Sequence, residues 1–288
     1  MRTINSFMPV LLLGIYLLLF SGCTKSPLSE DKTSLGTRQI RGAVTIDDGS
    51  SPENVYVWLP GFDVGTATDA NGKFLLSLPS SSGQSSLSGV FTVYFYLANF
   101  YLDSAKVFTR DGAFVYEKGD VNKNGELSAP RRMQRLLRIS TTVKRLNSVV
   151  TNEDSTVVQV SLQADVNPVT VIFPNACPDR ECPDHRIGAV LLRNIASNEI
   201  FVVQMSPGAT SRHLVTVGRT PVMRTMYFSL DRVFISPAVY EVIPYLRIER
   251  GELPPGLMDS LGPDVLALGP DYLKIPFRRE GGRLEVTR

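Results

Sequence analysis

Arg41-Gly42-Ala43-Val44-Thr45-Ile46-Asp47-Asp48-Gly49-Ser50-Ser51-Pro52-Glu53-Asn54-Val55-Tyr56-Val57-Trp58-Leu59-Pro60-Gly61 is the stretch that decides how this chain folds. Ile40, Gly42, Val44 and Ile46 alternate with Arg41, Ala43 and Thr45, and beyond the polar run 47–52 Val55, Val57 and Leu59 share one face. A period of two puts successive side chains on opposite faces of a pleated strand. Thr66 to Asp69 then leads to Asn71-Gly72, after which Phe74, Leu76 and Leu78 resume the pattern. Asp-Gly, Pro-Gly and Asn-Gly supply the positive φ that tight turns demand. Short alternating runs joined this way predict hairpins or a meander, and so an all-β, antiparallel sandwich.

Arg41-Gly42-Ala43-Val44, Asp48-Gly49, Pro52 to Leu59, Thr68-Asp69-Ala70-Asn71-Gly72-Lys73-Phe74 and Leu76-Ser77-Leu78-Pro79 together resemble the carboxypeptidase regulatory-like domain, a transthyretin-like β-sandwich. Gly89 to Phe95 followed by Asn99-Phe100 is similar to that family's next strand and aromatic turn, with the Ser-rich stretch Ser80 to Ser88 inserted between. The resemblance covers about a third of the chain and implies an accessory, non-catalytic module. The zinc-binding His and Glu motifs of the peptidase it accompanies are missing from this sequence. Asp69 and Asn71 read as turn residues capping their own backbone.

Strands continue from Ala105 to Tyr116, followed by Gly119-Asp120-Val121-Asn122-Lys123-Asn124-Gly125. Asp120, Asn122 and Asn124 resemble the first half of a calcium loop, in which oxygens at alternate positions converge on a hard cation. The twelfth position is Arg131 rather than a bidentate Glu, so a polar hairpin turn is the leading reading and calcium the weaker one. Arg131, Arg132, Arg135, Arg138, Lys144 and Arg145 form the densest basic stretch. On a helix three of them would share a face, but Thr141-Thr142-Val143 favours a strand with solvated arginines. A polar break from Asn147 to Ser155 marks the expected domain boundary. Beyond it strands are expected at Val158–Val166, Val169–Phe173, Ile187–Leu192, Ile200–Met205, Leu214–Val217, Met223–Leu230 and Tyr240–Ile248. Such regular spacing indicates a second, immunoglobulin-like or related sandwich. A helical turn or two is expected in Pro254–Leu261, and closing strands at Tyr272–Phe277 and Leu284–Val286.

At the other end, Met1-Arg2-Thr3, the apolar run Phe7 to Phe20 and Ser21-Gly22-Cys23-Thr24 have the form of an export signal, and a Cys at the cut resembles the lipobox of bacterial lipoproteins. Phe20 stands where that family prefers Leu. The resemblance implies a diacylglycerol on the Cys23 sulfur and an acyl chain on its new amino group. Thr24, rather than Asp, implies sorting to the outer membrane. The apolar run is short of the roughly 20 residues a spanning helix needs. Thr24 to Arg38 is too polar to bury a core and reads as a flexible tether. The expected organisation is therefore 1–22 signal peptide, 23–38 lipidated Cys and tether, 39–149 first sandwich and 150–288 second sandwich.

Removal of the first 22 of 288 residues would leave 29 basic against 28 acidic side chains, a balance that argues against nucleic acid as a partner. Besides Cys23 only Cys177 and Cys182 occur, and in an oxidising compartment this pair more simply closes a disulfide than a zinc site, whose fourth ligand beyond His185 is missing. His185 and His213 are the only histidines, and no nucleophile elbow, zinc-helix pair or phosphate-binding glycine loop is found. The expectation is a non-enzymatic, lipid-anchored envelope protein that binds the bilayer through Cys23 and a protein or glycan through its sandwiches, with a glycan-binding accessory of a surface uptake system, and behind it an envelope hydrolase, as the alternatives. Tyr94, Tyr96, Phe100 and Tyr101 are candidates for a glycan platform, against the plainer reading of core or sheet surface.

Overall fold

The computed structural model describes residues 38–79, 87–147, 154–174, 185–208, 211–230, 233 and 235–287. Cys23, expected to carry lipid, and Cys177 and Cys182, expected to close a disulfide, lie outside the described residues, as do the expected signal peptide and most of the expected tether. The fold is all-β, built as two lobes. In the first, the alternating run quoted above becomes β1 (Gln39–Ile46) and β2 (Tyr56–Leu59), followed by β3 (Val64–Ala67), β4 (Lys73–Ser77), β5 (Gly89–Tyr96), β6 (Asp103–Arg110), β7 (Ala113–Phe114) and β8 (Arg131–Met133). A five-stranded sheet ordered β3-β2-β5-β6-β7 lies over a smaller one ordered β4-β1-β8. β1 divides its partners: residues 39–43 pair antiparallel with β4, and Val44 to Ile46 pair parallel with β8. The inward positions of the alternation, Ile40, Val44, Ile46, Val57, Leu59, Phe74 and Leu76, are all buried in one core. Phe74 meets Phe95 of the facing sheet edge-on, with ring centroids 5.6 Å apart.

The basic stretch is largely strand, as expected, but its arginines are not all simply solvated: Arg131 pairs with Asp103, and Arg135, outside the strands and mostly buried, pairs with Asp48. β8 carries Arg131 and Arg132, and β9 (Leu137–Asn147) carries Arg138, Lys144 and Arg145. β9 pairs in register with β10 (Asp154–Ala164), and Leu136 and Leu137 already belong to the second core; the expected junction at 149/150 lies outside the described residues. β11 (Val169–Pro174), β12 (Ala189–Asn194), β13 (Ile200–Gln204), β14 (Arg212–Val217), β15 (Val222–Ser229), β16 (Ala238–Pro244) and β17 (Arg247–Ile248) follow. They assemble as β15-β10-β9-β18, β14-β11-β17 and β13-β12-β16-β19, where β18 is Glu280–Gly281 and β19 is Arg283–Val286. Val158, Val160, Leu162, Val171, Phe173, Val190, Leu192 and Val242 from these sheets share one core.

Between β17 and β18 the chain runs through a short helix, α1 (Leu257–Leu261), and a 3-10 turn at Pro270–Lys274. The closing strand expected at Tyr272–Phe277 does not form. Pro270 opens the turn and Pro276 has no N–H to give a ladder, so the alternation of Tyr272 and Lys274 finds no strand to pair with. Among the described residues, no helix is long and apolar enough to cross a membrane.

Candidate binding cleft between the lobes

A strand buried on one face leaves the other to water, and several strands here depart from that rule, β12 and β5 among them. β12 is buried at four successive residues: Val190 and Leu192 enter the second core, while Ala189 and Leu191 enter a third cluster. β5 behaves likewise, with Val93 and Phe95 facing the first core and Tyr96 the third cluster. That third cluster is the seam between the lobes. Trp58, Tyr96 and Ala98 from the first meet Ala189, Leu191, Ile243 and Tyr245 from the second, with Leu257, Val265, Tyr272 and Ile275 filling the gap. The contacts across it make Thr37–Arg288 one compact unit.

The proposed aromatic platform is therefore covered. Tyr96 and Phe100 are 3% and 0% exposed, and Tyr94 and Tyr101 are only half-buried, Tyr94 against Trp58 at 6.2 Å and Tyr101 against the second core. Cross-strand pairing places Tyr56 opposite Tyr96 and Trp58 opposite Tyr94, so one face of β2 and β5 is an aromatic plate. The second lobe, not solvent, lies against it. Burial raises the Tyr96 hydroxyl well above the ordinary tyrosine range, and nearby Arg250 only partly offsets this.

Polar groups fix the orientation of the seam. Asn99, 1% exposed, donates from Nδ2 to the carbonyls of Leu137 and Arg278, each at 2.9 Å, and accepts the Arg278 backbone N–H at 2.9 Å. Its own carbonyl accepts the N–H groups of Leu136 and Leu137. Arg250 donates from Nη1 to the carbonyls of Ala98 and Phe100 at 2.9 and 2.8 Å, and the Ala98 N–H donates to Pro276 at 2.7 Å. Tyr272 places its ring edge-on to Tyr245 at 5.0 Å, and its hydroxyl donates to the Leu246 carbonyl at 2.7 Å. The turn Ala98-Asn99-Phe100 thus latches the first lobe to the segment 276–278 and to the start of β9.

Beside the seam opens a cleft of about 500 Å³ whose walls come from both lobes: Tyr56 and Ala67 on one side, Arg193, Glu241 and residues 273–279 on the other. Arg193 of β12 pairs with Glu241 of β16, which faces it across the ladder. Lys274 pairs with Asp271 at 2.8 Å. Arg278 donates to the carbonyls of Ser51, at 3.0 Å, and Glu53, and burial lowers its pKa, opposed by the charge of Glu53. Arg279 lies 4.2 Å over the Phe277 ring and donates to the Tyr272 hydroxyl at 3.2 Å. A shallower groove of about 930 Å³ crosses the outer face of β1 and β4, and most of its charged groups are already paired. There Arg41 pairs with Glu126 at 2.9 Å, and the Asp69 carboxylate accepts the N–H groups of Asn71 and Lys73.

Asp120, Asn122 and Asn124 sit in a tight polar turn. The Asp120 carboxylate accepts the Lys106 backbone N–H at 2.7 Å, and Asn122 Oδ1 accepts those of Asn124 and Glu126 at 2.8 and 3.1 Å. Arg131 turns away to a two-pronged contact with Asp103 at 2.8 and 2.6 Å, which raises the pKa of its guanidinium. Among the described residues no group of three or more His, Cys, Asp or Glu side chains gathers as a metal ion would require. The seam was open to detection in the unbroken apolar runs Ala189-Val190-Leu191-Leu192 and Val93 to Ala98, since continuous rather than alternating burial marks a strand covered on both faces. No protein-family model matches the chain, and no curated protein matches it.

Proposed function

We propose that this chain is a lipid-anchored lipoprotein of a bacterial envelope, sorted to the outer membrane, in which the fused lobes act as one non-catalytic binding or scaffold module on a polar tether. The observation that carries the reading is the seam. An aromatic plate that would serve as a ligand platform in a free sandwich is used here to pack one sandwich against another, giving one compact unit. The leader ending in Cys23 supplies the anchor: each buried methylene contributes about 0.8 kcal/mol, and two or more acyl chains hold a protein stably where one does not. The resemblance of the first lobe to an accessory module agrees with a role in presenting or positioning rather than transforming. A second reading, a glycan-binding accessory of a surface uptake system, is favoured by the polar cleft shared between the lobes.

The test is a Cys23→Ser variant expressed in the native envelope. The wild-type chain is expected in the particulate fraction with an acyl mass on its first peptide, and the variant in the soluble fraction. Crosslinking of the wild-type chain should then capture a fixed partner. A variant that stays in the membrane, or a wild-type peptide without acyl mass, would overturn the anchoring and the role that depends on it.

A further inference from the structure

We infer that the cleft between the lobes is a binding site for an anionic saccharide unit, with its carboxylate or phosphate held by Arg278 and Arg279. The inference rests on the reading of the chain as a binding module and names what it binds. The cleft's walls carry Arg193, Lys274, Arg278 and Arg279 against a single carboxylate, Glu241. Glu241 is occupied by Arg193, and Asp271 outside the walls holds Lys274. Among the described residues, neither Arg278 nor Arg279 forms an ion pair. Arg278 is clamped on backbone carbonyls, and Arg279 on a ring and a hydroxyl. Adjacent guanidiniums held by neutral groups retain their charge, which an anion in the cleft would balance.

Size and lining separate a sugar from a bare ion. About 500 Å³ is far more than an inorganic anion fills and lies within the range of small-ligand pockets, roughly 300 to 1,000 Å³. The lining is mainly polar, and Tyr56 contributes a half-buried ring at the wall. Polar groups around an amphipathic ring suit a hydroxylated ligand better than an apolar one.

The full-length chain in detergent is titrated with galacturonate, glucose 6-phosphate, glucose and inorganic phosphate, with heat of binding and Trp58 emission as readouts. Trp58 is the single tryptophan and lies in the seam two residues from Tyr56. At least one of the two charged sugars is expected to bind, glucose not to bind, and inorganic phosphate to bind about tenfold more weakly or worse. Arg279→Gln should weaken the charged sugar by about tenfold or more, as loss of a charge-assisted hydrogen bond implies. Lys274→Gln, exposed and paired only with Asp271, should weaken it by roughly twofold to fivefold and leave folding unchanged. If Arg279→Gln fails to fold, Lys274→Gln and the loss of affinity between low and high salt decide. No response to either charged sugar, equal affinity for inorganic phosphate, or affinity unchanged in the folded variants overturns the assignment. Membrane residence and partner capture are measured separately, so the module reading can stand while this site falls.

Discussion

Replacing Asn99 by Ala removes, at one position, the side chain that ties the first lobe to the second. The side chain makes two donations, to Leu137 and Arg278, and one acceptance, from Arg278, at a site that is 1% exposed. At about 1 kcal/mol net for each bond the loss is about 3 kcal/mol, and backbone groups left dry and unpaired raise it toward about 5 kcal/mol. That is a large share of the roughly 5 to 15 kcal/mol by which a domain is stable. The change should be read by urea unfolding with two probes, far-UV circular dichroism for both lobes and Trp58 emission for the seam, where the indole is 3% exposed. In the wild-type protein the two curves should coincide. In Asn99→Ala the Trp58 curve should move to lower urea and lead the other, because the seam opens before the cores. Asn99→Asp keeps the acceptor for the Arg278 N–H but sets carboxylate lone pairs against two carbonyls, so it should be at least as damaging. A loss below about 1 kcal/mol in Asn99→Ala with both probes still coincident would refute the view that this turn holds the lobes together.

Tyr96→Phe should flatten the alkaline fall in stability. Burial raises the Tyr96 pKa in the folded chain above its unfolded value near 10, so its contribution is complete below about pH 10 and is lost as pH climbs past it; denaturation midpoints at pH 8 and pH 11 check this. Gly72→Ala and Gly49→Ala should differ although both glycines have positive φ, +76° and +74°. A Cβ on Gly72 would lie 2.1 Å from the Val44 carbonyl oxygen, whereas one on Gly49 would meet nothing within 4 Å. Thermal melts should show about 1 kcal/mol lost at Gly49, the cost of left-handed backbone alone, and clearly more at Gly72.

The elements of this fold were legible in the sequence wherever one face met a core and the other met water. β1, β2 and β4 follow from their alternation, and the turn at Asn71-Gly72 from its chemistry. The basic strands β8 and β9 were legible for the same reason, because Thr141-Thr142-Val143 has no use on a helix but fits a pleat. Hidden from a one-strand reading was what covers the outer faces. The unbroken apolar runs 93–98 and 189–192 say that both faces are covered, but nothing local says that Leu191 and Ile243, roughly a hundred residues or more downstream, are what arrives against Tyr96. The parallel pairing of Val44–Ile46 with β8 is equally non-local. The strand expected at Tyr272–Phe277 failed because alternation was weighed without the prolines on either side of Leu273 and Lys274. In the cleft, Arg278-Arg279 reads in sequence as one more basic dipeptide, and its place between the lobes depends on the same long-range closure.

That closure has a consequence for how the protein is made. Asn99 and its partner Arg278 are 179 residues apart, so a ribosome adding 5 to 20 residues per second needs roughly 10 to 35 s to deliver the second after the first. Throughout that interval Tyr56, Trp58, Tyr94 and Tyr96 stand uncovered on a half-finished chain, a sticky plate with nothing yet to press against. A holding chaperone, rather than a catalyst of any later step, is the helper such a nascent chain would need most.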